Sequence, residues 1–363
     1  MPLPDISITR LLNQKVVNTA FTKAEEIVGW MGAMQAQDYN MAKWAVGSRL
    51  INASDKKIET AYNKGAILRT HVMRPTWHFV TAGDIYWMLN LTAPKIRASL
   101  KTRQRWLELT ETTIVKSNAI IEKALSKGKN LTREELTKDM NDAGIRTDEN
   151  RLSHLLLCAE LDKIVCSGPV KERKLTYALL SERVPDKVVL TRDESLVELA
   201  KRYFTSHGPA TIKDFTWWSG LAVAEARQAL DFAQSALLSE TIGNERYWFA
   251  DSLPKTTADK TTVHLLPAFD EFLISYKDRS ASLSLTHNKK AVSDNGIFRP
   301  VIVVNGQVAG IWKPIKDKDK VDIETTFFTK INKSAVSLLR NKLDDYGTYL
   351  NKSTEIKNVI NML

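Results

Sequence analysis

Cysteine is nearly missing: Cys158 and Cys166 are the two thiols in 363 residues. They form neither a CxxC pair nor a disulfide framework, which predicts ordinary core thiols in a reducing compartment rather than redox or metal chemistry. Long apolar runs are absent too. No segment approaches the roughly 18 uninterrupted apolar residues of a membrane span. The start, Met1-Pro2-Leu3-Pro4-Asp5, lacks the basic-then-apolar pattern of a leader, so a cytoplasmic protein without membrane contact is expected. The sequence also has no GxSxG, no GxxxxGK followed by Ser or Thr, and no HExxH, which argues against a serine hydrolase, a P-loop enzyme and a zinc protease. No cofactor and no metal are expected. Acidic charge is in deficit, with 42 Asp and Glu against 52 Lys and Arg, and the net charge of +10 favours an anionic partner, nucleic acid first.

What is present is a globular composition, 43% hydrophobic, in a chain long enough for several domains. Three segments open alike, a Thr followed three residues later by a carboxylate and then an apolar run: Thr22 to Glu25, Thr132 to Glu135, and Thr211 to Asp214. The spacing is that of the capping box, so each marks a helix start. Each is followed by another helical stretch and then by alternating, strand-like sequence. The predicted fold class is α+β, with tandem winged helix-turn-helix motifs and a C-terminal β-rich domain.

Five divisions are expected. Residues 1–110 hold a first winged-helix unit, with helices at 22 to 35 and 55 to 63, a wing at 66 to 80 broken by Pro75, and a connecting basic helix. Residues 111–192 hold a second, with helices at 112 to 127, 132 to 143 and 149 to 161 and a wing turning at Gly168-Pro169. Residues 193–250 hold a third, with helices at 195 to 206, 212 to 219 and 224 to 233 and a wing turning at Gly243-Asn244. Residues 251–262 are a polar linker. In residues 263–363 the period drops from near 3.6 to near 2; Asn305-Gly306 between two apolar runs is a β-hairpin turn, and a final helix spans about 334 to 349.

Polar chemistry collects in three places. Gln35 and Gln37 sit two residues apart at the end of the first apolar helix; on a regular helix they would diverge by roughly 200°, whereas an extended segment points both to one side. They can act together only where the helix stops. His71, Arg74, Thr76 and His78 crowd the first wing, too polar for an ordinary core hairpin; they either line a cleft or are hydrogen-bonded to hold the wing in place. Lys95, Arg97, Lys101, Arg103 and Arg105 form a basic run without an acidic residue, which either grips DNA phosphates or is a solvated helix face.

Gln35-Ala36-Gln37-Asp38, the segment Leu68 to His78, Leu266-Pro267-Ala268-Phe269-Asp270-Glu271 and Gly296-Ile297-Phe298-Arg299-Pro300 together resemble the AlkZ/YcaQ-like winged-helix DNA glycosylases over nearly the whole chain. The Gln-apolar-Gln signature places it with the AlkZ-like branch. That resemblance implies a scaffold of tandem winged helices, excision of N7-alkylated purines, unhooking of certain interstrand crosslinks, Gln35 and Gln37 as catalytic groups, and double-stranded DNA containing alkylated bases as partner. No lysine is marked as a Schiff-base nucleophile, which implies hydrolysis by a monofunctional enzyme acting as a monomer. The competing readings are a non-catalytic winged-helix regulator and a lesion-binding protein without turnover.

Overall fold

In the computed structural model, which describes residues 5–251, 261–317 and 319–360, the chain alternates helical groups with small sheets and ends in a larger sheet. The expected linker falls almost wholly outside the described residues. The first group contains α1 (Ile6–Asn13), α2 (Ala24–Met31), β1 (Met34–Gln35), α3 (Tyr39–Gly47), α4 (Asp55–Lys64), β2 (Ile67–His71), β3 (Trp77–Thr81) and α5 (Ile85–Trp106). Its three strands form one sheet in the order β1-β3-β2.

Two expectations change here. Helix α2 ends at Met31, not at residue 35, because Gly32 takes φ +78° and turns the chain out of the helix into β1. Met34 is buried as expected, but from a strand. The cap also shifts by one residue: the Glu26 carboxylate, not that of Glu25, accepts from the Thr22 and Lys23 amides at 3.1 and 3.0 Å. Helix α3 has no counterpart among the expected elements. It is capped by Asp38, which accepts from the Asn40 and Met41 amides, and it buries Ala42, Trp44, Ala45 and Val46.

The second group runs α6 (Glu111–Leu125), β4 (Leu131–Thr132), α7 (Arg133–Asp142), α8 (Arg151–Leu161), β5 (Val165–Ser167), β6 (Thr176–Leu179) and α9 (Leu180–Arg183). Thr132 and Glu135 form the reciprocal cap read from the sequence, and Gly144 takes φ +75° just past α7. The third group runs α10 (Arg192–Ser206), α11 (Ile212–Ser219), α12 (Val223–Ala233), β7 (Leu237–Ile242) and β8 (Glu245–Ala250). Thr211 and Asp214 cap α11, and a further box, Thr191 with Glu194, opens α10.

The last group contains β9 (Val263–Leu266), α13 (Glu271–Ile274), α14 (Asn288–Ala291), β10 (Val301–Val304), β11 (Gln307–Lys316), β12 (Lys320–Phe327), α15 (Lys333–Leu350) and β13 (Ser353–Ile360). Its five-stranded sheet has the order β13-β12-β11-β10-β9. The Asn305-Gly306 turn joins β10 to β11 with positive φ at both residues, 49° and 77°, as a two-residue hairpin loop requires.

The C-terminal sheet is not a separate body. Its Ile302, Trp312, Val321 and Ile323 share one core with Ile27, Val28, Met31 and Phe79 of the first group. A buried ion pair fastens the two: Arg49 Nη1 and Nη2 reach the Asp270 carboxylate at 2.9 and 2.8 Å, both side chains being almost completely buried. Bidentate geometry offsets the desolvation of both charges, but removing one partner leaves the other unpaired in the core. Asp270→Ala is therefore expected to lower unfolding free energy by about 3–5 kcal/mol. Urea denaturation of the parental and variant proteins measures this.

Candidate active site

Because Ala36 N–H pairs inward with the Trp77 carbonyl at 2.7 Å, the neighbouring Gln35 N–H points away from β3, on the free edge of β1. Glu271, at the first turn of α13, meets it: its Oε1 accepts from the Gln35 amide at 2.5 Å. The other carboxylate oxygen accepts from Trp218 Nε1 at 3.2 Å and from the Ser275 hydroxyl, with His207 Nε2 3.6 Å away. Burial alone would raise the Glu271 pKa, but its neighbours outweigh it: His207 first, then the Ser275 hydroxyl and Gln35 amide hold it well below the usual carboxylate range. Burial also lowers the His207 pKa. Of the two, the ionised carboxylate facing a neutral imidazole is the state that the donors around Glu271 support, since three of them do not depend on a charge at His207.

Gln35 is 5% exposed, whereas Gln37, two residues on, is exposed. Gln35 lies directly opposite His78 in β3, and His78 opposite Thr70 in β2. Directly opposed residues share a face, so Gln35, His78 and Thr70 form one polar row across the sheet. Arg74, in the turn between β2 and β3, donates from Nη2 to Gln35 Oε1 at 2.9 Å. The turn itself is tight: Met73 takes φ +63°, and Gly220 at the end of α11 packs on the Met73 carbonyl with no room for a Cβ. The Trp217 ring of α11 lies below three cations, Lys277 at 4.9 Å, Arg279 at 5.6 Å and Arg74 at 5.7 Å from its centroid. Its neighbour Trp218 is fully buried in the core.

The predicted cleft residues divide into two faces. Arg74 and His78 lie beside Gln35, with Thr76 bonded to His78 through its carbonyl, whereas His71 pairs with Trp77 on the opposite face of the hairpin and packs on that ring tilted by 42°, centroids 3.9 Å apart. Glu160 of α8, completely buried, accepts from the His71 amide at 2.8 Å, approaches His71 Nδ1 at 2.8 Å and accepts from the Thr70 hydroxyl at 3.2 Å. His71 and Trp77 open onto a cavity of about 320 Å³ whose wall includes Arg103, Arg133, His154 and Tyr177. Arg69 completes the hairpin from the Trp77 side: its guanidinium lies 4.0 Å from the Trp77 centroid and donates to the Ala36 carbonyl at 2.8 Å.

The basic run lies on α5 and is not uniform. Lys95 donates to the Gly220 carbonyl and Arg97 pairs with Asp162, so these two brace the second and third groups. Lys101, Arg103 and Arg105 are exposed, with Arg103 stacked 4.2 Å over Trp106 and lining the cavity. Sequence reasoning reads Glu271, with Asp270, as an acidic group of a charged network at a domain junction and not as a site residue, and assigns no role to Glu160. Glu271 stands inside the Leu266 to Glu271 motif; Glu160 has no local signal beyond being a carboxylate in an otherwise apolar helix, which is itself the mark of a buried partner. Among the described residues no group of three or more His, Cys, Asp or Glu side chains could hold a metal ion, and no helix is long and apolar enough to cross a membrane.

The site thus sets Gln35, in a short strand, between a buried carboxylate and a polar hairpin on an α+β scaffold. The "DNA glycosylase AlkZ-like" family matches residues 28–349, and the chain belongs to that family of DNA glycosylases. An interstrand DNA cross-link repair glycosylase of Streptomyces sahachiroi is 24% identical over 325 residues, covering 82% of this chain and 84% of that protein. The structure of Streptomyces sahachiroi DNA glycosylase AlkZ aligns with a TM-score of 0.81 at 21% identity, covering 97% of this chain and 98% of that one, and so shares its fold.

His78 makes the site sensitive to acid. Its ring is 0% exposed, and burial, followed by the charge of Arg74, pushes its pKa down to about 3. In the unfolded chain the same ring titrates near ~6.5. Between those values the unfolded state holds a proton that the folded state lacks, so the contribution is fully present above about pH 6.5 and is lost as pH falls toward 3. Going from pH 7 to pH 5, the parental protein is expected to lose about 2 kcal/mol more unfolding free energy than His78→Asn. Urea titrations at both pH values check the difference.

Proposed function

We propose that this DNA glycosylase hydrolyses the N-glycosidic bond of N7-alkylated purines in double-stranded DNA, with water as nucleophile and an abasic site as product. Three groups of helices with small sheets would serve as the tandem winged-helix scaffold that holds the duplex, and no cofactor is required. The observation that carries the reading is the break of α2 at Gly32, after which Gln35 stands in β1 opposite His78 and bonded to Arg74, with Gln37 following in an exposed bend before α3.

The chemistry suits neutral amides. An N7-alkylated purine is already cationic, so its departure needs little acid assistance, and the developing charge sits on the sugar. Amide carbonyls directed at that sugar stabilise the oxocarbenium-like transition state by their dipoles and position water without abstracting a proton early. Arg74 has a supporting role here: it occupies one lone pair of Gln35 Oε1 and fixes the carboxamide, leaving the second lone pair and the NH₂ group free. Its positive charge would oppose a cationic sugar, but the buried Glu271 carboxylate attracts it and offsets that field. Arg74 thereby acts through Gln35 rather than as a phosphate contact.

The relative from Streptomyces sahachiroi is named for interstrand cross-link repair. We extend that substrate class to this chain as a second proposal, since a crosslink through purine N7 contains the same cationic leaving group. Gln37 is exposed and Arg74 and Thr76 are half-buried, which does not require the base to enter a closed chamber.

Gln35→Ala and Gln37→Ala are each expected to slow single-turnover release of N7-methylguanine by roughly tenfold for every ~1.4 kcal/mol of transition-state stabilisation removed, with much smaller effects on lesion-DNA affinity. A double variant that excises at the parental rate removes the proposed site. Parental protein that releases no base from this duplex removes the proposed reaction.

Arg103 and Arg105 are exposed, whereas Lys95 is engaged by the Gly220 carbonyl and Arg97 by the Asp162 carboxylate. The Arg103→Ala, Arg105→Ala protein should bind duplex DNA more weakly and show a salt slope smaller by about 0.9 for each phosphate it no longer neutralises. Affinity measured across a salt series reads both effects; an unchanged slope assigns the pair to a solvated helix face.

A further inference from the structure

Three polar atoms of the segment that meets Gln35 through Arg74 and His78 are buried and have no protein partner: Arg74 Nε, Thr76 Oγ1 and His78 Nε2. They belong to one five-residue segment, and their neighbours are well satisfied. Arg74 Nη2 is on Gln35, and His78 Nδ1 is 2.9 Å from the Thr76 carbonyl. Unpaired buried polar groups are costly, and three together call for a shared polar occupant.

The Thr76 carbonyl can only accept, so His78 Nδ1 carries the proton of that hydrogen bond. With the ring kept neutral by burial, Nε2 is left as an unprotonated acceptor. Arg74 Nε is a donor only, and the Thr76 hydroxyl can do either. The three orphans are therefore complementary for one water: it accepts from Arg74 Nε, donates to His78 Nε2 and exchanges a hydrogen bond with Thr76 Oγ1. Two to four polar partners are what a buried water needs. Gln35 lies directly across the strand pair from His78, and because the Gln35 N–H points outward this is a non-hydrogen-bonded pair, with Cα atoms about 4.5 Å apart and side chains close. The charges of Arg74 and Glu271 act on the His78 ring from its own side of the sheet.

We propose that Arg74, Thr76 and His78 form the cradle of the hydrolytic water, with His78 Nε2 as the acceptor that orients it. This rests on the glycosylase reading above and adds to it the group that aims the nucleophile. With the Thr76 hydroxyl accepting, the water has one accepted and two donated hydrogen bonds and keeps a lone pair for C1′ of the lesioned nucleotide. The C1′–O bond forms as the C1′–N9 bond breaks, the bonding pair leaves with the purine and cancels its ring charge, and the surplus proton of the water passes to solvent. His78 aims the water and does not retain its proton.

Two substitutions separate this role from a purely structural one. Asn at position 78 places an amide where Nδ1 stands and can still donate to the Thr76 carbonyl, but has nothing at Nε2; Gln reaches the Nε2 position with an acceptor oxygen and gives up the Nδ1 bond. If His78 orients water, His78→Asn slows single-turnover release of N7-methylguanine by about tenfold or more with lesion-DNA affinity within about twofold, and His78→Gln is several-fold faster than His78→Asn. If the ring only holds the turn, the order reverses: His78→Asn excises at the parental rate and His78→Gln is the slower, which overturns the proposal. Long-range proton–nitrogen correlation spectra of histidine-labelled parental protein provide a test that does not depend on either variant folding. At pH 7 they should show His78 protonated at Nδ1 and bare at Nε2; a proton on Nε2 overturns the proposal even where the parental enzyme releases base. Parental protein that releases no base, with the His78 tautomer as expected, instead removes the glycosylase reading on which the cradle depends.

Discussion

The Glu271 carboxylate is the anchor on which the site depends. It comes from the first turn of α13 in the C-terminal group, satisfies the free-edge amide of Gln35 in the first group, and accepts from Trp218 of the third. A two-residue strand such as β1 has little hold on its own geometry, because a single ladder with β3 leaves its outer amide unpaired. A buried anion aimed at that amide fixes the strand from the outside, and the Arg49–Asp270 pair at the preceding residue fixes the anion's own backbone. Both charges of this junction are buried, so their partners are structural necessities rather than adjustable surface contacts.

From this anchor the polar atoms order themselves by what is left unsatisfied. Arg74 commits one nitrogen to Gln35, His78 one nitrogen to Thr76, and Glu160 one oxygen to Thr70 and His71. The second atom of each, Arg74 Nε, His78 Nε2 and Glu160 Oε1, has no protein partner. A fold that brings in each of these groups and satisfies only half of it is arranged for something besides its own stability.

The charge distribution sorts function in the same way. Lys95 and Arg97 pair with a backbone carbonyl and with Asp162, tying α5 to the groups on either side of it, while Lys101, Arg103 and Arg105 further along the helix are exposed. One basic run thus contains both braces and candidate phosphate ligands. Sequence composition counts these charges alike; their partners distinguish them.

Much of the architecture was legible from local rules. The caps at Thr132 and Thr211, the closing Gly144, the Asn305-Gly306 hairpin and the helical and strand spans of the second and third groups follow from hydrogen-bond caps, positive φ and hydrophobic period, all of which act within a few residues. Local rules misplace the end of α2, because Met34 continues the apolar spacing of the helix while Gly32 turns the chain, and burial at Met34 is reached equally well from a strand. They miss α3, whose cap Asp38 is hidden beside the Gln pair. The sequence by itself determined that Gln35 and Gln37 follow the first apolar helix and that a polar hairpin comes after them. Only the tertiary structure decided that Glu271 holds Gln35 from 236 positions away, that Arg74 fixes its carboxamide, and that His71 and His78 serve opposite faces. The reason is range: caps and turns are settled by neighbouring backbone groups, whereas a buried charge is settled by whichever distant partner the folded core brings within hydrogen-bond reach.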